Sequence, residues 1–441
     1  MSGRVMGVAV ESVTRAVSAA FSAPTEHILA AALVVLVTVY VVLPRLIGAG
    51  RKEGKQVPMA PGGLPIIGHL LKLGPEVILS YFHQNWVDIG GPFELSIVGK
   101  RALVLTEWEG IKDVLLRRPK MFRRDSGMDS WGREINVLSG LFNVEGAEWG
   151  RIRRLSSSSF APHHVDSMSE IITDECKAFL KRLDAAVAIQ ASTDKPIDGV
   201  EVLMQYTMNI IINLAFGTAA LKSSYLQSPE VIHDMKSLFA WIYRRLTVPL
   251  PNWLWGLYND SLEKKGKHCS VMLERVVADI KKYIEESDDA SCGDTTTMFL
   301  SSLMKSRISD DSSVFNSRNH LSDTEIAAQI KTFLIAGTET TAVTIASAVQ
   351  YLSDPKYSDL ANSLYMETKN CFLGERYPSS LDQLRNMPLV SAFLKESMRL
   401  HGPAPLSFNE LAESQKSTII SGGYTVYKTV SVGIKYIIFN L

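Results

Sequence analysis

Residues 336 to 341 read Ala336-Gly337-Thr338-Glu339-Thr340-Thr341. A carboxylic acid beside an alcohol can relay a proton to a reacting atom. The setting is unusual for a helix interior. Glycine costs about 1 kcal/mol there, and a buried carboxylate without a partner costs several kcal/mol or shifts its pKa upward. Local rules that break together tend to mark function. Gly337 would let something flat approach the backbone, and a Thr hydroxyl can distort a helix by bonding back to a carbonyl. On these residues alone, a solvated or ion-paired Glu on a surface helix is an equal reading.

Two further spacings could do chemistry. In Glu396-Ser-Met-Arg399 the acid and the guanidinium share one helix face at i, i+3 and can pair, although many surface helices carry such a pair in solvent. In Trp149-Gly-Arg-Ile-Arg153 the indole and the guanidinium point one way at i, i+4. A planar guanidinium suits a carboxylate because its fork donates two hydrogen bonds. Alone, this pattern also fits a core Trp beside a surface Arg.

These groups need elements to hold them. Ser322-Asp-Thr-Glu325 is a capping box that starts a helix near Asp323, and Ser353-Asp354-Pro355 ends it near Leu352. Thirty residues give roughly 45 Å, enough to cross a domain. Ala342 to Val349 is apolar on nearly every face, which predicts burial. The clearer of the other helical patterns run from Asp166 to Val187, Val202 to Phe216, Ser261 to Ile284 and Leu381 to Leu400. Within the last, Pro388 suits the first position of the helix that carries Glu396 and Arg399. Phe93 to Val98 and Ala102 to Thr106 flank Gly99-Lys-Arg101 as a β-hairpin. Strands and helices do not alternate, so a parallel α/β sheet is not expected. Residues 285 to 323 are rich in Ser, Asp and Thr and read as partly irregular.

Composition bounds the class. The 441 residues are 46% hydrophobic and 21% charged, and Lys+Arg and Asp+Glu both count 46. With no net charge there is no global basic field to attract nucleic acid. Cys176, Cys269, Cys292 and Cys371 are the only cysteines and form no CxxC pair, so neither a disulfide framework nor a CxxC metal site is expected. Ile28 to Leu43 carries no charge, and the run to Gly50 is near the length of a membrane span. Arg45, Arg51, Lys52 and Lys55 lie on its C-terminal side, which predicts a cytosolic body. The expected organisation is an N-terminal segment at 1–27, a signal-anchor at 28–50, a proline-rich hinge at 51–65 and one helical domain thereafter. Arg4 and Arg15 leave a transit-type element open.

The hexapeptide resembles the central helix of the cytochrome P450 family, whose motif is A/G-G-x-D/E-T-T. Glu396-x-x-Arg399 and Trp149-x-x-x-Arg153 match two more family motifs in order and spacing. The resemblance implies a mainly α fold with a small β region. It implies a haem lying against Ala336 and Gly337, with a propionate held by Trp149 and Arg153. Glu339 and Thr340 would deliver protons to oxygen, and Glu396 and Arg399 would hold the core. It also implies a membrane-bound monooxygenase that acts on a small apolar substrate with O2, fed by NADPH through a reductase. The endoplasmic reticulum would be its site, in contact with membrane lipid. Substrate recognition would fall at residues 123–144, 223–259 and 403–408.

The sequence also departs from the family. Family members bind the iron through a cysteine some tens of residues after ExxR, and no cysteine here follows Cys371. The downstream arginine that joins ExxR is missing, and Asn409-Glu410 stands where an arginine is common. Gly422-Gly423-Tyr424-Thr-Val426 resembles the family's G-Y-x-V/I strand, after which the pattern is lost. The domain is therefore expected at 66–428, with a non-family tail at 429–441. The expectation is a truncated chain without the axial metal ligand: inactive as it stands, or a catalytically dead membrane-anchored fragment.

Overall fold

A computed structural model describes residues 55 to 288 and 321 to 435. Gaps within these ranges fall at 158–165, 217–224, 249–254, 256–259 and a few shorter positions. The anchor expected at 28–50 and the irregular stretch expected at 285–323 lie wholly or mostly outside the described residues.

In chain order the elements are α1 (Ile78–Ile89), β1 (Phe93–Ile97), β2 (Lys100–Leu105), α2 (Trp108–Leu116), β3 (Phe122–Arg124), α3 (Asp129–Glu134), α4 (Gly146–Ser157), α5 (Ser169–Thr193), α6 (Gly199–Phe216), α7 (Pro229–Thr247) and α8 (Ser261–Asp288). There follow α9 (Asp323–Ser353), α10 (Ser358–Cys371), α11 (Leu381–Arg385), α12 (Pro388–Leu400), β4 (Leu406–Leu411), β5 (Ser417–Ile420), β6 (Tyr424–Tyr427) and β7 (Val430–Lys435). They divide into two units, residues up to 124 with 408–434, and residues 125–407.

The first unit holds the β structure. The expected hairpin is present, with Phe93 opposite Val104 and Ile97 opposite Lys100. The sheet order is β1-β2-β7-β4-β3. β7 runs parallel to β2, with Arg101 opposite Val430, so residues 430–435 of the expected non-family tail are a strand of this sheet. β5 and β6 form a second hairpin whose turn needs Gly422 and Gly423 at φ +89° and +79°. Leu103, Leu105, Ile111, Val114, Phe122, Leu411 and Val426 make the unit's core. Glu410, expected near a departed arginine position, pairs here with Arg123 at 2.8 Å.

The second unit is helical, and α9 is its axis. Ser322 accepts from the Glu325 N–H while the Glu325 carboxylate accepts from the Ser322 N–H, so the capping box is complete. The first half of α9 buries Ile326, Ala328, Gln329, Ile330, Lys331, Thr332 and Leu334. Gln329 and Lys331 are buried polar groups with partners. Gln329 bonds Ser139 O and Leu141 N–H, both at 2.9 Å. Lys331 donates to Ile135 O at 3.1 Å and pairs with Glu274 of α8.

Two expectations change. From Ala342 to Val349 only Ala342 and Ala348 are buried, and Val349 is 52% exposed. An all-round apolar composition allows burial, but a packed neighbour on each face decides it. The helical pattern from Leu381 to Leu400 is two helices. Pro388 lacks an N–H and disfavours helix in the residue before it, so the chain breaks at Asn386 and Met387 and restarts with Pro388 in the first turn.

Candidate functional site

Helix α9 crosses α6 closely just before the acid. Thr207 of α6 donates its hydroxyl to the Thr338 carbonyl at 2.7 Å. A Cβ built on Gly337 would lie 2.8 Å from Ile211 Cγ1. The missing side chain of Gly337 therefore makes room for α6, and sequence reasoning had assigned that room to a flat ligand. Gly337→Ala gains about 1 kcal/mol of helix propensity and loses about 1–3 by overpacking. A net loss of about 1 kcal/mol in a urea melt is the expected outcome. A net gain would mean that Ile211 swings aside.

One turn of α9 faces outward. Ala336 and Thr340 are exposed and stand one above the other at i, i+4. The Thr340 hydroxyl donates back to Ala336 O at 2.6 Å, the helix-distorting bond expected of a Thr there. Between the outward face and the α6 contact lies Glu339. Burial pushes its carboxyl up to about 7, and it has no hydrogen-bond or ion-pair partner among the described residues. It is therefore a group that both holds and releases a proton near neutral pH.

On α4, Trp149 and Arg153 are both exposed. Trp149 is 47% exposed, far more than a core indole would be. Their shared direction follows from the i, i+4 spacing, and the indole N–H and the guanidinium suit an anionic oxygen.

Glu396 and Arg399 pair with each other at 2.8 Å on the surface of α12. The Arg399 hydrogen bond holds the Glu396 carboxyl below the usual carboxylate range. Glu396 is 52% exposed, so the pair does not sit in the core of the described residues. An exposed pair of this kind contributes little to stability. Near it, Tyr351 of α9 bonds His401 at 2.6 Å and ties the end of α9 to the residue after α12.

A haem needs an apolar face, a propionate clamp and an iron ligand. The open Ala336–Thr340 face and the exposed Trp149 and Arg153 fit the first two. None of the three described cysteines fits the third. Cys269 is buried, donates to Asp234 O at 3.1 Å, and burial pushes its thiol up to about 12. Cys371 donates to Asn386 O at 3.2 Å, and Cys176 lies beside Tyr206 of α6. Cys292 is outside the described residues. Among the described residues no cluster of His, Cys, Asp and Glu could hold a metal ion.

Sequence reasoning missed Thr207 and Arg151. Thr207 carried no signal beyond being a hydroxyl in an apolar helix. Arg151 sits inside the W-x-x-x-R motif, but on the side of α4 away from Trp149.

Comparison with known proteins gives the family and the fold. The family profile for cytochrome P450 matches residues 58–437. Cytochrome P450 CYP82J17 of Trigonella foenum-graecum is 25% identical over 85% of this chain and 71% of its own length. The tabersonine/lochnericine 19-hydroxylase of Catharanthus roseus is 25% identical over 86% of this chain and 72% of its own. Among solved structures, the retinoic acid-bound cyanobacterial CYP120A1 superposes with a TM-score of 0.64 at 18% identity. It covers 86% of this chain and 77% of that one, a likeness of fold.

Proposed function

Since this chain belongs to the cytochrome P450 family, we propose that the outward turn of α9 receives a haem and that Trp149 and Arg153 hold one of its propionates. A haem bound there supplies the redox-active iron for oxygen chemistry. The chain's own part is positioning and proton control. Ala336 presents only a methyl group, so a flat ring can approach the helix. Glu339 carries a proton at neutral pH. Thr340 accepts a proton at its hydroxyl oxygen as it passes on the one now given to Ala336 O. The single observation that carries this reading is the partnerless Glu339 beside the exposed Thr340.

The reaction class is insertion of one oxygen atom into a small apolar substrate, with electrons from NADPH through a P450 reductase. A cytosolic body anchored in the endoplasmic reticulum membrane by residues 28–50 completes the reading. The engagement of Cys176, Cys269 and Cys371 elsewhere favours a second reading for these 441 residues taken by themselves: a family member that binds haem without thiolate ligation and does not activate oxygen.

Hemin titration of the purified chain separates the possibilities. The expected result is saturable uptake with a ferrous–CO spectrum that lacks the red-shifted band of thiolate ligation. Arg153→Ala is expected to weaken uptake about tenfold or more, the loss of a charge-assisted hydrogen bond worth about 1.5–3 kcal/mol. Uptake indifferent to Arg153 would remove the propionate role, and a thiolate-type band would remove the second reading.

A further inference from the structure

Arg151 lies two residues after Trp149, about 200° around α4. Trp149 and Arg153 face outward, and Arg151 turns the other way, to the first turn of α9. There its guanidinium pairs with Glu325, and with Glu148 of its own helix. The Arg151 and Glu325 side chains are only 14% and 19% exposed, so water screens this pair less than it screens a surface pair.

Glu325 does two things at once. One carboxylate oxygen takes Arg151. The other accepts from the Ser322 N–H at 2.7 Å and the Ser322 hydroxyl at 3.0 Å. The same side chain therefore starts the helix that carries Glu339 and grips the helix that carries Trp149 and Arg153. The other buried polar groups of this half of α9 do not duplicate the grip. Gln329 and Lys331 hold residues 135 to 141, before α4 begins.

We propose that Arg151 and Glu325 are positioning residues that set the Trp149–Arg153 clamp relative to the Ala336–Thr340 face. Glu325 and Ala336 are about 16 Å apart along a straight helix, so a change in the angle of α4 at this joint shifts its outward side chains relative to that face. The clamp can then hold a rigid group in one orientation only while the joint is closed. This rests on the haem reading of the site, although the joint itself does not.

Glu325→Gln separates the two duties of the side chain. The amide oxygen still accepts from Ser322 and keeps the cap, but the charge that holds Arg151 is gone. Two measurements on the full chain test the proposal: amide hydrogen exchange without haem, and the rate of hemin release to an excess of apomyoglobin. Glu325→Gln is expected to speed exchange across residues 146–157 about tenfold, leave residues 358–371 unchanged, and speed hemin release by a similar factor. Glu148→Gln, which removes the charge of the intrahelical pair and leaves the Arg151–Glu325 pair in place, is expected to do neither. Unchanged exchange at 146–157 would overturn the joint. Faster exchange with unchanged hemin release would reduce it to a structural contact and overturn the positioning role. Faster exchange in a chain that takes up no hemin would keep the joint and remove the haem reading instead.

Discussion

Replacing Glu339 with glutamine is expected to stabilise the chain by about 2–3 kcal/mol at pH 8 and to leave it unchanged near pH 4. The sign follows from the proton count. Burial raises the folded-state carboxyl from 4.5 to about 7. Between those two values the folded chain keeps its proton and the unfolded chain has lost it. Stability therefore falls as pH rises through this window, and above it the charged carboxylate is a standing cost. Glutamine has nothing to ionise, so it abolishes that slope. The shift alone converts to about 3 kcal/mol, and partial exposure of the side chain lowers the figure. Urea melts of both proteins at pH 4, 6 and 8 measure it. Parallel pH profiles would show that Glu339 is solvated, which would also remove it as a proton carrier near neutral pH. A stability gain from losing a candidate catalytic group is the usual sign of a site kept at a cost to the fold.

Glu263→Ala is expected to have the larger effect on folding, a loss of about 3–5 kcal/mol. Glu263 and Arg245 are each 1% exposed at the side chain and pair with each other where α8 packs on α7. Glu263 also accepts from Arg244 at 2.9 Å and from the Trp241 indole at 3.0 Å. Removing it leaves a guanidinium buried between two indoles, 5.0 Å from the Trp241 ring and 4.5 Å from the Trp255 ring. Among the described residues, the only carboxylate then left to Arg245 is Glu134, at 2.9 Å. A cavity of ≈ 400 Å³ opens beside the cluster. Water entering there puts the expected loss at the lower end, about 3 kcal/mol. Replacing both partners with methionine is expected to recover most of the loss, because a buried pair adds little over apolar packing of similar size. Denaturant midpoints of the single and double variants decide this. A loss under about 1 kcal/mol for Glu263→Ala would mean that Arg245 is hydrated.

Both variants lie in the second unit, yet they differ in how far the sequence announced them. Glu339 stood out because it broke helix rules beside a glycine and two threonines. Glu263 gave no such sign. It lies in a Glu-Lys-Lys run that reads as a solvated helix face, and only its packing against Trp241 and Arg245 shows it buried. Arg151 was hidden for a related reason. A charged residue within a basic stretch has many possible partners, and the chain direction of α9 relative to α4 selects Glu325 among them.

The sequence alone determined the helical class, the β-hairpin, the capping box, the start at Pro388, the family, and the candidate acid–alcohol pair. Each is set by interactions within a few residues, or by spacings that a helix turns into shared faces. Tertiary structure decided everything that depends on a second element. It showed that Gly337 serves the α6 crossing, that Ala342 to Val349 is only partly buried, that residues 430–435 complete a sheet, and that the Glu396–Arg399 pair is partly exposed. Burial and pairing are properties of neighbours brought together from distant parts of the chain, and spacing within one helix carries no record of them.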